Sequence, residues 1–341
     1  MNKIIFISGS HNIYGGGQVY ISNLSDELKK KGISNVILSS DNIFPNSIPI
    51  PRIDSWKLKF KNIKSIINII KVIDREKKSI IITNDITLSM LSILFKVRKW
   101  KTIPIIHMSL YNTSKKSKFI RIIYPLIRAL FIRIGSHKIL SVNIENKKLL
   151  GKKNIYIGNF TTDKPHKTNY KDIDYLYVGR FDKEKRPDKF VDIMHELSNK
   201  KAHFHAVMIG DGVLFNDIKN KITDLGLAKK ITLTGFLDKN DIINYYKRAN
   251  YLIISSKTEG LPTVILDAAA YNVNFLAPAI GSIPFINKKW DVGCIASIED
   301  MPNILLNSNE ILNKNKSNLV KLVRDHSLDR FTNNFIEEVM K

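Results

Sequence analysis

Short apolar runs and amphipathic segments alternate along this chain, and the alternation runs through twice. In the first pass, strands are expected at Lys3–Ser8, Asn35–Ser39, Ser79–Thr83, Thr102–His107 and Lys138–Val142. Helices are expected at about Gln18–Lys31, Leu58–Lys77, Leu88–Lys96 and through Tyr124–Ile134. After a polar stretch, Thr161–Asp172, the pattern restarts with strands Tyr175–Val178, Phe204–Ile209, Ile231–Thr234, Tyr251–Ser255 and Asn274–Ala277. The helices between them are Pro187–Leu197, Leu214–Leu225, Lys239–Arg248 and Pro262–Ala270. Uninterrupted apolar strands joined by helical crossovers imply parallel sheets covered on both faces, an α/β fold. At 341 residues the chain exceeds what one hydrophobic core serves. Two domains are expected, 1–165 and 166–325, with a last helix in 326–341 packing back toward the first.

Charge divides the halves. Residues 1–160 hold 28 Lys and Arg against 8 Asp and Glu, and residues 161–341 hold 26 against 23. A compositional preference for lysine would act on both halves alike, so the first half is expected to meet something anionic. Its basic segments are 57–71 and 115–138, the second mixing Arg121, Arg128 and Arg133 with a run of Ile, Leu and Phe. Such a helix suits an anionic membrane surface, with Pro125 expected to kink it; a core helix with snorkelling ends is the alternative. No stretch resembles a transmembrane span or a signal peptide, and the lone Cys294 excludes an intrachain disulfide.

Open α/β sheets bind ligands at the carboxyl ends of their strands. Glycines and charged residues gather there: Gly9 and Gly15–Gly17, His107, Gly179–Lys185, Gly210–Gly212, Gly235 and Ser255–Gly260. In YLYVGRFDKEKRPDKF, residues 175–190, Arg180 and Lys185 stand between a strand and a helix opened by Pro187. A planar guanidinium, a mobile ammonium and a helix N-terminus can seat a pyrophosphate; a solvated basic loop has the same composition. In SSKTEGLPTVILDAAA, residues 255–270, Glu259 lies in a loop above a helix on which Pro262 takes the first position. Glu259 can accept from sugar hydroxyls and Asp267 from a ribose diol, while N–H groups near Leu261–Thr263 face phosphate. Taken singly, Glu259 could equally cap the helix and Asp267 be a surface acid.

Taken together, Gly-Gly-Gly-Gln at 15–18, GRFDKEK at 179–185, IGDG at 209–212, TGFL at 234–237 and EGLPTVILD at 259–267 resemble the retaining GT-B glycosyltransferases of glycosyltransferase family 4. The resemblance implies two Rossmann-like domains with parallel sheets facing a central cleft. It assigns the donor diphosphate to Arg180 and Lys185, the donor sugar to Glu259 and the ribose to Asp267. Gly16 and Gly17 match the loop near the phosphates, and His107 the histidine beside the transferred sugar. Gly210, Gly260, Leu261, Pro262 and Thr263 complete the donor-binding set. Asp267 stands where Glu is usual, Ser282 replaces a second glycine, and Phe285 stands where an acid is common.

The implied activity is hexosyl transfer from a nucleotide diphosphate sugar, UDP-linked, to a glycan acceptor carried on a lipid, in bacterial surface-polysaccharide assembly. No metal or other cofactor is expected; the one D-x-D, Asp172-Ile173-Asp174, precedes a strand. The expected location is cytoplasmic, on the inner face of the membrane. Three alternatives stay open: a catalytically silent GT-B scaffold, a nucleotide-sugar hydrolase or epimerase, and a basic nucleic-acid binder. The last lacks zinc spacing, an RNP-like motif and a helix-turn-helix, so no nucleic-acid partner is expected.

Overall fold

Seven strands of the first unit lie in one parallel sheet: β1 (Lys3–Ser8), β2 (Asn35–Ser39), β3 (Ile48–Pro49), β4 (Ser79–Thr83), β5 (Lys101–Ile106), β6 (Ile139–Ser141) and β7 (Asn154–Tyr156). Their order is β3-β2-β1-β4-β5-β6-β7. Six more form a second parallel sheet: β8 (Ile173–Val178), β9 (Ala206–Ile209), β10 (Ile231–Gly235), β11 (Ala249–Ile253), β12 (Asn274–Ala277) and β13 (Cys294–Ile295), ordered β10-β9-β8-β11-β12-β13. This computed structural model describes residues 3–8, 16–40, 44, 47–50, 60–75, 79–84, 89, 91–111, 118–166, 170–200, 203–307 and 316–341, with side chains except at 60–65 and 118–122. Gly9, Gly15, Lys57 and the stretch 115–117 of the basic segments therefore lie outside the described residues.

Contacts divide the chain into Met1–Gly158 with Leu328–Lys341, and Asn159–Ser327. In both units the strands run third, second, first, fourth, fifth, sixth across the sheet. That order reverses between the unit's first and fourth strands, which opens a crevice at their carboxyl ends. In the second unit β8 is the pivot: Tyr175 faces Ala206 of β9 on one side and Tyr251 of β11 on the other.

The Ile-rich β1 and β4 are buried on both faces because helices cover both. Ile5, Ile7, Ile81, Ile69, Ile73 and Phe95 form one core cluster of the first unit. The helix Leu328–Met340 belongs to this unit: Phe335 stacks on Phe6 at 6.4 Å, and Phe331 meets the Tyr20 ring edge-on at 5.5 Å. Lys31 pairs with Asp329 and Lys138 with Glu338. The second unit is centred on Tyr175, Phe181, Phe190, Met194 and Met208.

Several element ends differ from expectation. The edge strands β3, β7 and β13 have two or three residues each, too few for a period to show. Within the expected Leu88–Lys96 the structure describes the helix Ser92–Val97, one residue longer at its end, while residues 88 and 90 lie outside the described residues. The helix Lys118–Gly135 carries Pro125 in its interior. Among the described residues no helix is long and apolar enough to cross a membrane.

Candidate active site

The segments after β8 and β11 meet at the switch point of the second sheet. Lys185 Nζ lies 2.7 Å from Glu259 Oε1, and Ser256 Oγ donates to the same oxygen at 2.6 Å. Two residues 74 apart in sequence thus form one ion pair, with Glu259 nearly enclosed at 9% side-chain exposure and Lys185 at 26%. The backbones are tied as well. Ser255 Oγ donates to the carbonyls of Lys185 and Arg186, and the Lys257 N–H donates to Glu184 O at 2.7 Å. Ion pair and backbone bonds make one rigid corner.

Asp182 organises the basic loop. Its Oδ1 accepts from the N–H groups of Glu184 and Lys185 at 3.0 and 2.9 Å, an Asx-type turn. Its Oδ2 lies 3.1 Å from Arg180 Nη2. Arg180 is therefore held by Asp182, half-exposed, rather than by Glu259. Asp182, Ser255 and Ser256 fall within the post-strand clusters Gly179–Lys185 and Ser255–Gly260, but the sequence assigned none of them a role.

Neighbouring loops close on this corner. Gly179 N–H donates to Ile209 O, and Phe181 N–H to Asp211 O. Gly210 has φ +141°, and a Cβ there would lie 1.9 Å from Gly179 O, so no other residue fits. Gly281, φ +57°, backs the acid loop: a Cβ would lie 2.3 Å from Glu259 O and 2.5 Å from Gly260 O. Ser282, in place of a glycine, is buried and donates its N–H to Gly260 O at 2.7 Å. Phe285 packs edge-on against Trp290 at 6.2 Å. Val213 and Phe236, following β9 and β10, leave large apolar side chains exposed at this same sheet edge.

Beyond Glu259 the chain enters the helix Thr263–Ala270. Pro262 is its N-cap (ψ 125°), a correction of the expected first helical position, because its backbone is still extended. Leu261 is buried, its carbonyl accepting from Asn159 Nδ2 at 3.0 Å. Asp267 engages Thr161, whose hydroxyl donates to Oδ1 at 2.6 Å, rather than the Lys185–Glu259 corner. Burial pushes the Asp267 carboxyl up to about 6, although the Thr161 bond opposes the shift. Asp172 and Asp174 sit at the opposite end of β8, Asp172 paired with Arg248 and Asp174 accepting from the His205 N–H.

The first unit has its own post-strand cluster. Asn84, directly after β4, donates from Nδ2 to Gly17 O at 2.9 Å. Its Oδ1 is thereby left to face His107 Nε2 at 2.5 Å, which places the imidazole proton on Nε2. The Tyr20 ring meets His107 edge-on at 4.6 Å, and burial holds its phenol well above the usual range. Asn84 is a further residue the sequence did not single out; its position after a buried strand was the available signal. His107 follows β5 rather than ending it.

Residues 159–323 match the family model for group 1 glycosyl transferases. The chain is 26% identical over 165 residues to the UDP-Gal:alpha-D-GlcNAc-diphosphoundecaprenol alpha-1,3-galactosyltransferase of Escherichia coli, covering 47% of this chain and 41% of that protein. The chain spans about two-fifths of the length of the curated relatives it matches. The lipopolysaccharide outer core galactosyltransferase WaaB superposes with a TM-score of 0.75 at 16% identity, covering 99% of both chains. Anabaena HepE in complex with UDP-glucose gives 0.77 at 12% identity, again over 99% of both. The fold is that of the GT-B glycosyltransferases, two Rossmann-like α/β domains with parallel sheets.

Proposed function

We propose that this chain is a retaining, metal-independent hexosyltransferase that takes its sugar from a UDP sugar and gives it to a lipid-linked glycan in bacterial surface-polysaccharide synthesis. The observation that carries the reading is the Lys185–Glu259 pair at the switch point of a sheet whose unit matches the group 1 glycosyl transferases. The relatives' names support the donor and acceptor classes.

Lys185 has three N–H donors, so it can hold Glu259 and a phosphate oxygen together. Arg180, anchored by Asp182, adds a planar fork to the other phosphate oxygens. As the bond between the anomeric carbon and the β-phosphate oxygen breaks, its electron pair goes to the diphosphate. Arg180 and Lys185 stabilise that charge, a part a divalent cation could otherwise play. Glu259 orients the sugar through its hydroxyls. The acceptor oxygen bonds to the anomeric carbon from the face the diphosphate leaves, and its proton passes to the departing phosphate. Asp267 takes the ribose, for which its Thr161 bond must be shared or exchanged. Phe236 and Val213 offer an apolar surface to the base. Within the first unit Asn84 fixes the ring of His107, the histidine that the sequence resemblance assigns to the transferred sugar.

The test is a screen of nucleotide sugars by thermal shift, then transfer to undecaprenyl-diphosphate glycans with the product's anomeric configuration read by NMR. Binding of a UDP sugar, retained configuration and undiminished rate in a chelator support the reading. Normal turnover in Glu259→Ala or Arg180→Ala, or inversion at the anomeric carbon, overturns it.

A further inference from the structure

The helix Lys118–Gly135 is amphipathic in an unusual sense. Ala129 and Ile132 face inward against Ile106, Leu110, Ile139 and Leu150. Yet Leu126, Ile127, Leu130, Phe131 and Ile134, spaced to share the opposite side, are each between 40% and 52% exposed. On the neighbouring helix Ser92–Val97, Leu94 and Val97 are exposed as well, the latter at 77%. The two helices touch where a Cβ on Gly135 would lie 2.3 Å from Ile93 N, so the close approach needs glycine. Five large apolar side chains exposed along one side of a single helix mark an interaction site rather than ordinary scatter.

At the stripe's end lies a pocket of about 700 Å³, lined by Leu130, Ile134, Lys96, Arg133, Lys152 and Lys153 among others, none of them acidic. The cations are gathered by the helix C-terminus: Lys96 Nζ donates to Ile134 O at 2.9 Å, and Lys153 Nζ to Arg133 O and Ser136 O at 2.8 Å each. Desolvation lowers the Lys153 pKa, with the charges of Lys96 and Arg133 adding to it. A bound anion would relieve that crowding.

We propose that this pocket seats the phosphate of an anionic phospholipid, with the Leu126–Leu130–Ile134 stripe lying in the headgroup and acyl boundary of the bilayer. The charge complementarity selects an anion. The stripe selects its source, since a free phosphate or nucleotide has no use for five aliphatic and aromatic side chains beside it. A nucleic acid would call for stacking aromatics, and Phe131 alone among those five is aromatic. The site needs no donor sugar and stands apart from the transferase reading.

The experiment is co-sedimentation of the full chain with phosphatidylcholine vesicles and with phosphatidylcholine–phosphatidylglycerol vesicles. Wild type should partition onto the anionic vesicles only. Arg133→Glu with Lys152→Glu should weaken that partitioning by more than about tenfold. Leu126→Gln with Leu130→Gln, which leaves the charge intact, should weaken it by about as much. Equal partitioning onto both vesicles, or unchanged binding in the charge variant, overturns the proposal. Unchanged binding in the apolar variant also overturns it, leaving only a phosphate site. Melting curves of each variant, with and without UDP, report whether the fold and the second unit are intact, so a folding defect is not mistaken for a lost lipid site.

Discussion

Replacing Lys185 with methionine removes the ammonium from Glu259 and keeps the bulk of the side chain. Stripping the partner from a buried charge pair costs about 3–5 kcal/mol. Here Lys185 keeps 26% of its surface, and the Ser256 hydroxyl still reaches Oε1, so a loss of about 1–3 kcal/mol is expected. For a unit of this size that corresponds to a fall in melting temperature of roughly 3–10 °C. Glu259→Gln should cost less, because the charge it strands is the more exposed one. The double variant should be less destabilised than the two singles added together, by about 1–2 kcal/mol of coupling. Transfer should fall by more than about a hundredfold in each, since both sites act on the diphosphate and its sugar. Thermal melts of the four proteins and initial rates with a UDP sugar provide the readings. Strict additivity, with Lys185→Met melting like wild type, would show that the pair is not the rigid corner described.

Asp267→Asn tests the raised carboxyl. Its folded pKa of about 6 lies above the unfolded value of 3.8, so the folded protein holds the extra proton and its stability falls as pH rises from about 4 to 6. The Asn variant should therefore be more stable than wild type above pH 6, by about 1–3 kcal/mol, and the gain should vanish by about pH 4 in melting curves. A gain independent of pH would refute it. Gly210→Ala should destabilise by at least about 2–4 kcal/mol and weaken donor binding by calorimetry, since its Cβ would strike Gly179 O. Asn84→Ala should slow transfer about tenfold or more while changing stability by less than about 1.5 kcal/mol, because it frees both Gly17 O and His107. An unchanged rate would remove His107 from the proposed site.

Parallel α/β architecture was readable from β1 and β8 alone, since an apolar run followed by a glycine loop and an amphipathic helix has few other solutions. The placing of Lys185 and Glu259 after strands was readable too, because in such sheets the strand ends are where ligands bind. What could not be read was which of these groups touch. Asp182 holding Arg180, Ser256 sharing Glu259, Asn84 bridging Gly17 and His107, and Thr161 capturing Asp267 are settled by contacts, some of them 67 to 106 residues apart in sequence. Nor did the pattern distinguish which side of Lys118–Gly135 is covered, since both are apolar. Periodicity reports only short-range order along one element. Pairing across the sheet is decided by strand order and by what the neighbouring loops leave room for. The sequence therefore determined the layers, and the tertiary packing determined the partners.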